Sequence, residues 1–362
     1  MSVCWIRYRL GSLLIRAGRF QQAIRQLQSV VDRCPEHLGA RSDLAWSLAE
    51  LHRYEEAIEH YRWLATKIPD WAPAYLGLGQ AFRELGRHGE AIAAYNTAIE
   101  LTPDDASVYY NVAESHRARG DLQAAVDAYR TALRIRPDFA NAIGNLSATL
   151  AELGRFQEAA DLGRRAMLLN PGPLHAQNLG LSLIELGEYK EAEKILREAL
   201  RFDPESVECK AWLGDTLIEL GQIDEGLQVL QDVLTAAPQN GIALCARSSG
   251  LSRAGRFEEA LETAQIAVKF NPEMAAAWAI LGLVLLEDDK ARDALRHFER
   301  ALSLSPKEVD YLAYRGAALS ALGEHAEAMK AFDRVVTISP DYFQRFADLS
   351  QYLNASRAAI EH

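Results

Sequence analysis

Apolar residues recur at three- and four-residue spacing along nearly the whole chain. The third of the repeated segments described below has two such runs, which are Tyr75, Leu78 and Phe82, and then Ile92, Tyr95 and Ile99. This spacing places the apolar side chains on one face of an α-helix. Each segment is therefore predicted to form a helix, a short turn and a second helix, with an apolar face that one helix pair cannot bury alone.

The period of the pattern is marked by proline. Prolines stand at 35, 69, 103, 137, 171, 204, 238, 272, 306 and 340, so eight of the nine gaps are 34 residues and one is 33. With each of these prolines counted as position 32, the predicted repeats are 4–37, 38–71, 72–105, 106–139, 140–172, 173–206, 207–240, 241–274, 275–308 and 309–342. Residues 343–362 are predicted to form one capping helix, with Phe343, Phe346, Leu349 and Leu353 facing the stack.

Small residues occupy fixed positions in these repeats. Position 8 is always Gly, Ala or Ser, and position 20 is Ala in nine repeats and Gly in one, so the two helices of a repeat can approach closely. Position 15 is Gly in eight repeats, as expected where a helix ends in a left-handed residue. The proline at position 32 follows the second helix, which it cannot continue.

The period and these marks resemble the tetratricopeptide repeat over residues 4–340. The resemblance implies an all-α fold, a right-handed superhelix (α-solenoid) of antiparallel helix pairs, forming a single solenoid of ten repeats. It also implies that the first helices line a concave groove that holds a peptide or a helix of a partner. Partner-binding residues are then expected at positions 2, 5, 6, 9, 12 and 13 of each repeat.

Asparagine occupies position 6 in three successive repeats, as Asn111, Asn145 and Asn178. A primary amide can both donate to a backbone carbonyl and accept from a backbone N–H, so the three could hold an extended peptide. The row resembles the asparagine ladder of the O-linked N-acetylglucosamine transferases. The alternative is that these asparagines are ordinary solvated residues of the repeat.

Aromatic side chains at groove positions are further candidates, because aromatic anchors are frequent hot spots of interfaces. Trp5, Tyr8 and Trp46 are expected to converge near the N-terminal mouth of the groove, and Tyr110, Trp212 and Tyr314 occupy groove positions further along. For Trp5, the alternative is that the ring covers the exposed face of the first repeat.

Acidic residues are also frequent at groove positions. Glu185 and Glu219, both at position 13, have no cation three residues later, and with Glu208 and Asp215 they are predicted to form an acidic patch in repeats six and seven. Such a patch suggests a partner segment that carries Lys or Arg.

The overall charge and the cysteines restrict the partner and the compartment. The net charge of −11 argues against nucleic-acid binding, and no apolar run is long enough for membrane insertion. The four cysteines are far apart without a CxxC pair, so neither a disulfide scaffold nor a zinc site is expected, and a reducing, cytoplasmic location is predicted.

No catalytic constellation is recognisable. The sequence has no P-loop, GxGxxG, HExxH or GxSxG motif, and we predict a non-enzyme without cofactor, metal or catalytic residues. The function predicted is a scaffold or adaptor that holds an extended, basic peptide segment of a protein partner. Two alternatives stay open. One is the substrate-recognition region of a larger enzyme, such as a glycosyltransferase. The other is a homo-oligomer assembled through the first repeat, which has no N-terminal cap and in which residues 1–31 hold five Arg and no acid.

Overall fold

The structure, a computed structural model, describes residues 3–345 and 347–361. These residues form α-helices and turns, with no β-strand among them, so the predicted all-α fold is confirmed. None of the described helices has the length and apolar character that crossing a bilayer would require.

The helices follow one another at nearly constant length. In chain order they are α1 Val3–Arg16, α2 Phe20–Arg33, α3 Leu38–Glu50, α4 Tyr54–Lys67, α5 Ala72–Glu84, α6 His88–Leu101, α7 Ala106–Ala118, α8 Leu122–Ile135, α9 Ala140–Glu152, α10 Phe156–Leu169, α11 Pro173–Glu185, α12 Tyr189–Phe202, α13 Val207–Glu219, α14 Ile223–Ala236, α15 Gly241–Arg253, α16 Phe257–Phe270, α17 Ala275–Glu287, α18 Ala291–Leu304, α19 Val309–Ala321, α20 His325–Ile338, α21 Tyr342–Arg345 and α22 Ala347–Glu361. From α1 to α20, each odd-numbered helix pairs with the helix after it through a three-residue turn.

The turn inside each pair explains the glycine at position 15. All eight glycines at this position have a positive φ, between 69° and 82°. The two other residues at position 15, His52 and Asp289, adopt the same left-handed backbone with φ of 59° and 56°. The conformation is therefore imposed by the helix-turn-helix geometry, and glycine is the residue that adopts it at least cost.

The small residues at positions 8 and 20 lie where the paired helices cross. A Cβ on Gly79 would lie 2.4 Å from the ring of Tyr95 on the second helix of the same repeat. In the fifth repeat, Ser147 Oγ at position 8 donates a hydrogen bond to the carbonyl oxygen of Ala159 at position 20, at 2.8 Å. The predicted close approach of the two helices is confirmed at these positions.

The chain divides into two compact units, Met1–Pro171 and Gly172–His362. In the first unit, one cluster of buried residues extends from Ile15 to Val112 between the successive helices. The core of the second unit is likewise built between paired helices and ends against α22, where Leu353 is 5% exposed.

The C-terminal segment is helical from Tyr342 to Arg345, as α21, and from Ala347 to Glu361, as α22. The ring of Phe343 on α21 packs edge-on against Phe332 of α20, with centroids 5.4 Å apart, and Leu349 on α22 packs against the same part of the core. The single capping helix over residues 343–362 stays a prediction. Phe346 lies outside the described residues.

Cys4 and Cys34 form a disulfide bond, contrary to the expectation from cysteine spacing. The two residues are 30 positions apart, but Cys4 lies in the first turn of α1 and Cys34 directly follows α2, with their Cα atoms 6.9 Å apart. A helical hairpin brings its two ends together, so separation in sequence was a poor measure of separation in space. Cys209 and Cys245 are free and buried.

Candidate functional site

The second unit contains a cavity of about 480 Å³ on the side of the first helices of its repeats. Its wall is formed by residues of α11, α13, α15, α17 and α19, together with Met274 just before α17. The lining residues are Leu181, Ile184, Glu185, Trp212, Asp215, Glu219, Ile242, Cys245, Ala246, Ser249, Arg253, Met274, Ala276, Ile280, Leu283 and Tyr314. Five consecutive repeats therefore contribute to one concave surface.

The lining follows the repeat numbering. Apart from Met274, every lining residue stands at position 2, 5, 6, 9, 12 or 13 of its repeat, the positions at which the resemblance implied a groove. First helices pack side by side, so the same helix face is directed into the concavity in each repeat. Three of the acidic candidates, Glu185, Asp215 and Glu219, are brought together with Trp212 in this cavity.

The three carboxylates have different neighbours. Arg253 Nη2 on α15 donates to Glu219 Oε1 at 2.6 Å, and its Nη1 donates to the carbonyl oxygen of Ile218 at 3.3 Å. The sequence analysis considered only cations three residues later in the chain and therefore missed this pair, in which the cation comes from the next repeat. Among the described residues, neither Asp215 nor Glu185 has an ion-pair partner. The cavity thus holds three carboxylates against one guanidinium.

Crowding by protein and by like charge makes Asp215 and Glu185 hard to ionise. Burial, reinforced by Glu219 and Glu185 and opposed by Arg253, raises the pKa of Asp215 to about 6. Glu185 is open to water inside the concavity, but the surrounding walls partly desolvate it. This desolvation, followed by the charges of Glu308 and Asp310, raises the pKa of Glu185.

Further acids lie at the start of α19. Burial, with a contribution from Asp310, raises the pKa of Glu308. Asp310 Oδ1 accepts a hydrogen bond from the hydroxyl of Tyr342 at 2.6 Å. The charges of Glu308 and Asp310 act on Glu185 of α11. The negative electrostatic field therefore extends across the second unit from its first helix to α19.

Most of the remaining cavity wall is apolar, and the sequence analysis missed this apolar surface. Ile242, Ile280 and Leu283 stand at groove positions where a water-facing helix would carry polar residues. The sequence did contain a signal for this apolar surface. Helix α17, AAAWAILGLVLLE, has apolar residues on every face, including the face that is directed into the groove. Cys245 also lines the cavity, where burial and the charge of Asp215 raise the pKa of its thiol to about 12, so the thiol stays protonated.

The fourth acidic candidate, Glu208, lies apart from the cavity. It is exposed in the first turn of α13 and is not among the lining residues, although Asp215 and Glu219 follow on the same helix. Tyr314, on α19, does line the cavity, and its ring lies 5.6 Å from that of Phe298.

The predicted asparagine ladder is divided between the two units, and two of its amides are bound by other side chains. Arg83 Nη1 donates to Asn111 Oδ1 at 3.0 Å. Asn145 Nδ2 donates to Glu114 Oε1 at 2.8 Å and to the hydroxyl of Tyr110 at 3.1 Å. Within the described part of the chain, the amide of Asn178 has no such partner.

The candidate rings of the first two repeats contact different neighbours. Tyr8 packs against His37 with ring centroids 4.6 Å apart, and Trp46 packs edge-on against Phe20 at 5.6 Å. Trp5 is 48% exposed, and the guanidinium of Arg9 lies 5.8 Å from its ring centroid. Tyr110 belongs instead to the polar network of Asn145 and lies 5.1 Å from the ring of Phe139.

Among the described residues, no group of three or more His, Cys, Asp and Glu side chains is arranged to hold a metal ion. The chemistry that the cavity does offer is electrostatic and apolar contact.

Family models of the tetratricopeptide repeat match residues 8–70, 43–106, 76–138, 110–172, 245–290 and 284–343, and a second model of the same repeat matches 183–247. The chain belongs to the tetratricopeptide repeat family. Its paired helices, left-handed turns and helix crossings are those of this repeat. The comparison with curated proteins gave no match.

Solved structures with the tetratricopeptide repeat fold are similar to this chain. One is a tetratricopeptide repeat protein from Parabacteroides merdae, with a TM-score of 0.57 and 19% identity over 64% of this chain and 93% of that one. Another is yeast Tom70, with a TM-score of 0.51 and 12% identity over 98% of this chain and 95% of that one. At these identities the likeness concerns the fold.

Proposed function

We propose that the chain is a non-catalytic scaffold whose second unit binds an extended segment of a protein partner. The partner segment carries Lys or Arg side chains and lies against the inner face of the first helices. Tetratricopeptide repeats form protein-interaction scaffolds, which supports the coarse part of the proposal. One observation carries the finer part. Glu185 and Asp215 face the same cavity from different repeats, and neither forms an ion pair with any residue that the structure describes.

The distribution of charge supports a basic partner. Ionised carboxylates that are partly desolvated and close together repel one another, and a bound cation lowers the energy of all of them. The acids extend from α11 to α19, a length of groove that suits several residues of an extended chain better than a small ion. The apolar wall adds contact area that does not depend on charge.

A selection from a random peptide library tests the proposal without assuming a partner. Phage that display random 12-residue peptides are selected on the immobilised protein and sequenced. We expect Lys and Arg to be enriched on the wild type, and the enrichment to disappear on the double variant Glu185→Gln, Asp215→Asn. Glu208→Gln is the control, because it removes one negative charge from α13 outside the cavity.

The selection has two results that would contradict the proposal. One is enrichment of acidic peptides, or of peptides without charge. The other is an equal Lys and Arg enrichment on all three proteins, which would mean that the general negative charge of the chain attracts the peptides.

A further inference from the structure

We propose that the cavity of the second unit is a pocket for one long cationic side chain, with the hydrocarbon stem against the apolar wall and the charged end beside Glu185 and Asp215. The inference rests on the proposed function and names the element of the partner that the cavity recognises. It concerns a single side chain, whereas the proposed function concerns the whole segment.

The first argument is the unequal pairing of the carboxylates. Glu219 is already neutralised by Arg253, at 2.6 Å. Asp215 stands one turn before Glu219 on α13, lines the same cavity and has no ion-pair partner among the described residues. A partly buried charge without a partner is unfavourable or is neutralised by a proton, and a cation that enters the cavity removes this cost.

The second argument is the position of the apolar residues. Ile242 on α15 and Ile280 and Leu283 on α17 line the same cavity as the acids, which lie on α11 and α13. A ligand that contacts both walls therefore needs an apolar part and a charged end. Lysine and arginine have this construction, because their methylene stems cover apolar surface while the charged group reaches a polar site.

The third argument is the form of the site. A volume of about 480 Å³ lies in the range of pockets that enclose a small ligand, and is more than a hydrated inorganic ion requires. No group of three or more ligating side chains among the described residues could hold a metal ion. Trp212 and Tyr314, at position 6 of their repeats, supply rings that can contact the cation or its stem.

Methyl NMR of the intact chain tests the pocket directly. The labelled methyl groups of Ile184, Ile242, Ile280 and Met274 are observed during titration with Nα-acetyl-lysine N-methylamide. The corresponding amide of arginine tests whether the cavity binds a guanidinium group better than an ammonium group. The corresponding amide of norleucine has a stem of the same length as lysine but no charge. We expect the lysine or the arginine amide to shift these methyl signals. The norleucine amide should need a concentration at least about tenfold higher to produce the same shifts.

Variants assign the effect to the cavity. Asp215→Asn is expected to weaken binding of the cationic amide about tenfold, and Glu208→Gln to leave it unchanged. The pocket is excluded if the cavity methyl groups do not respond to either cationic amide, or if norleucine amide binds as well as they do. Equal binding to wild type and Asp215→Asn would also exclude it.

The two proposals can fail separately. If lysine-rich peptides are selected by the library but the cationic amides leave the cavity methyl groups unchanged, the segment binds elsewhere on the surface and the pocket is wrong. If the amides fill the cavity but no basic peptide is selected, the pocket stands and the proposed function is wrong.

Discussion

Arg253 on α15 donates a hydrogen bond of 2.6 Å to Glu219 on α13 and so neutralises one of the three carboxylates of the cavity. Asp215, one turn earlier on α13, is left with unfavourable charges from Glu219 and Glu185. The arrangement concentrates negative charge where the walls reduce its contact with water. The consequences for stability and for binding can be measured separately.

Asp215→Asn should stabilise the fold near neutral pH. Burial raises the pKa of Asp215 from its ordinary value of 3.8 to about 6, so the folded state binds the proton more tightly than the unfolded state does. The ionised carboxyl therefore costs stability progressively as the pH rises from 3.8 to 6, and the cost is complete above 6. Asparagine avoids it, and we expect a gain of up to about 3 kcal/mol in the free energy of unfolding at pH 7.5.

Urea unfolding of wild type and Asp215→Asn at pH 7.5, 6.0 and 4.5 checks this expectation. The gain should decrease as the pH falls through the interval in which Asp215 titrates. Glu185, Glu219, Arg253 and Cys245 face the same group and are unchanged in the variant. A gain that is constant with pH would show that the substitution acts through packing and not through the charge.

The amides of the asparagine row should differ in their effect on stability. Asn145→Ala removes the donor to Glu114 and Tyr110, so we expect the free energy of unfolding to fall by about 1–3 kcal/mol. The amide of Asn178 has no comparable contact among the residues that the structure describes, and Asn178→Ala should change the free energy of unfolding by no more than about 0.5 kcal/mol. Thermal and urea unfolding of the two variants give the comparison, and equal losses would contradict the assigned network.

The helix crossing at position 8 can be tested with two glycines of the third repeat. Gly79→Ala would place a methyl group 2.4 Å from Tyr95, and we expect a loss of about 1–3 kcal/mol in unfolding free energy. Gly89→Ala, on the second helix, meets no atom within 4 Å and should gain about 0.4–1 kcal/mol. Circular dichroism during urea unfolding measures both. A Gly79→Ala protein as stable as Gly89→Ala would contradict the close packing.

The disulfide should stabilise the first helix pair selectively. It joins the start of α1 to the end of α2 and closes a loop of 30 residues. Reduction of the disulfide is therefore expected to lower the local stability of this helix pair by about 3 kcal/mol. Hydrogen exchange with mass spectrometry, with and without reductant, should show faster exchange in α1 and α2, with α19 and α20 as internal controls. Unchanged exchange in the first pair would mean that packing alone holds it. Cys4→Ser serves as the reductant-free equivalent.

The sequence predicted the parts of the fold that depend on local geometry. Period, helix spacing and the small residues at positions 8 and 20 each have a direct steric meaning, and the structure has them where predicted. The disulfide and the Arg253 pair were missed because both join residues about one repeat or more apart, which only the three-dimensional stack brings together. Glu208 was included with the cavity acids because it stands at a groove position of α13, but it lies two helical turns before Asp215 and the cavity does not extend to it.

The measurement closest to the central claim is fluorescence anisotropy of a labelled 12-residue peptide selected by the library, titrated with four proteins. These are wild type, Asp215→Asn, Glu185→Gln and Glu208→Gln. We expect Asp215→Asn and Glu185→Gln each to weaken binding about tenfold and Glu208→Gln to match wild type. Replacement of the Lys and Arg of the peptide by norleucine should abolish the difference between the proteins. If all four bind the basic peptide equally, the inner face of the second unit is not its binding site.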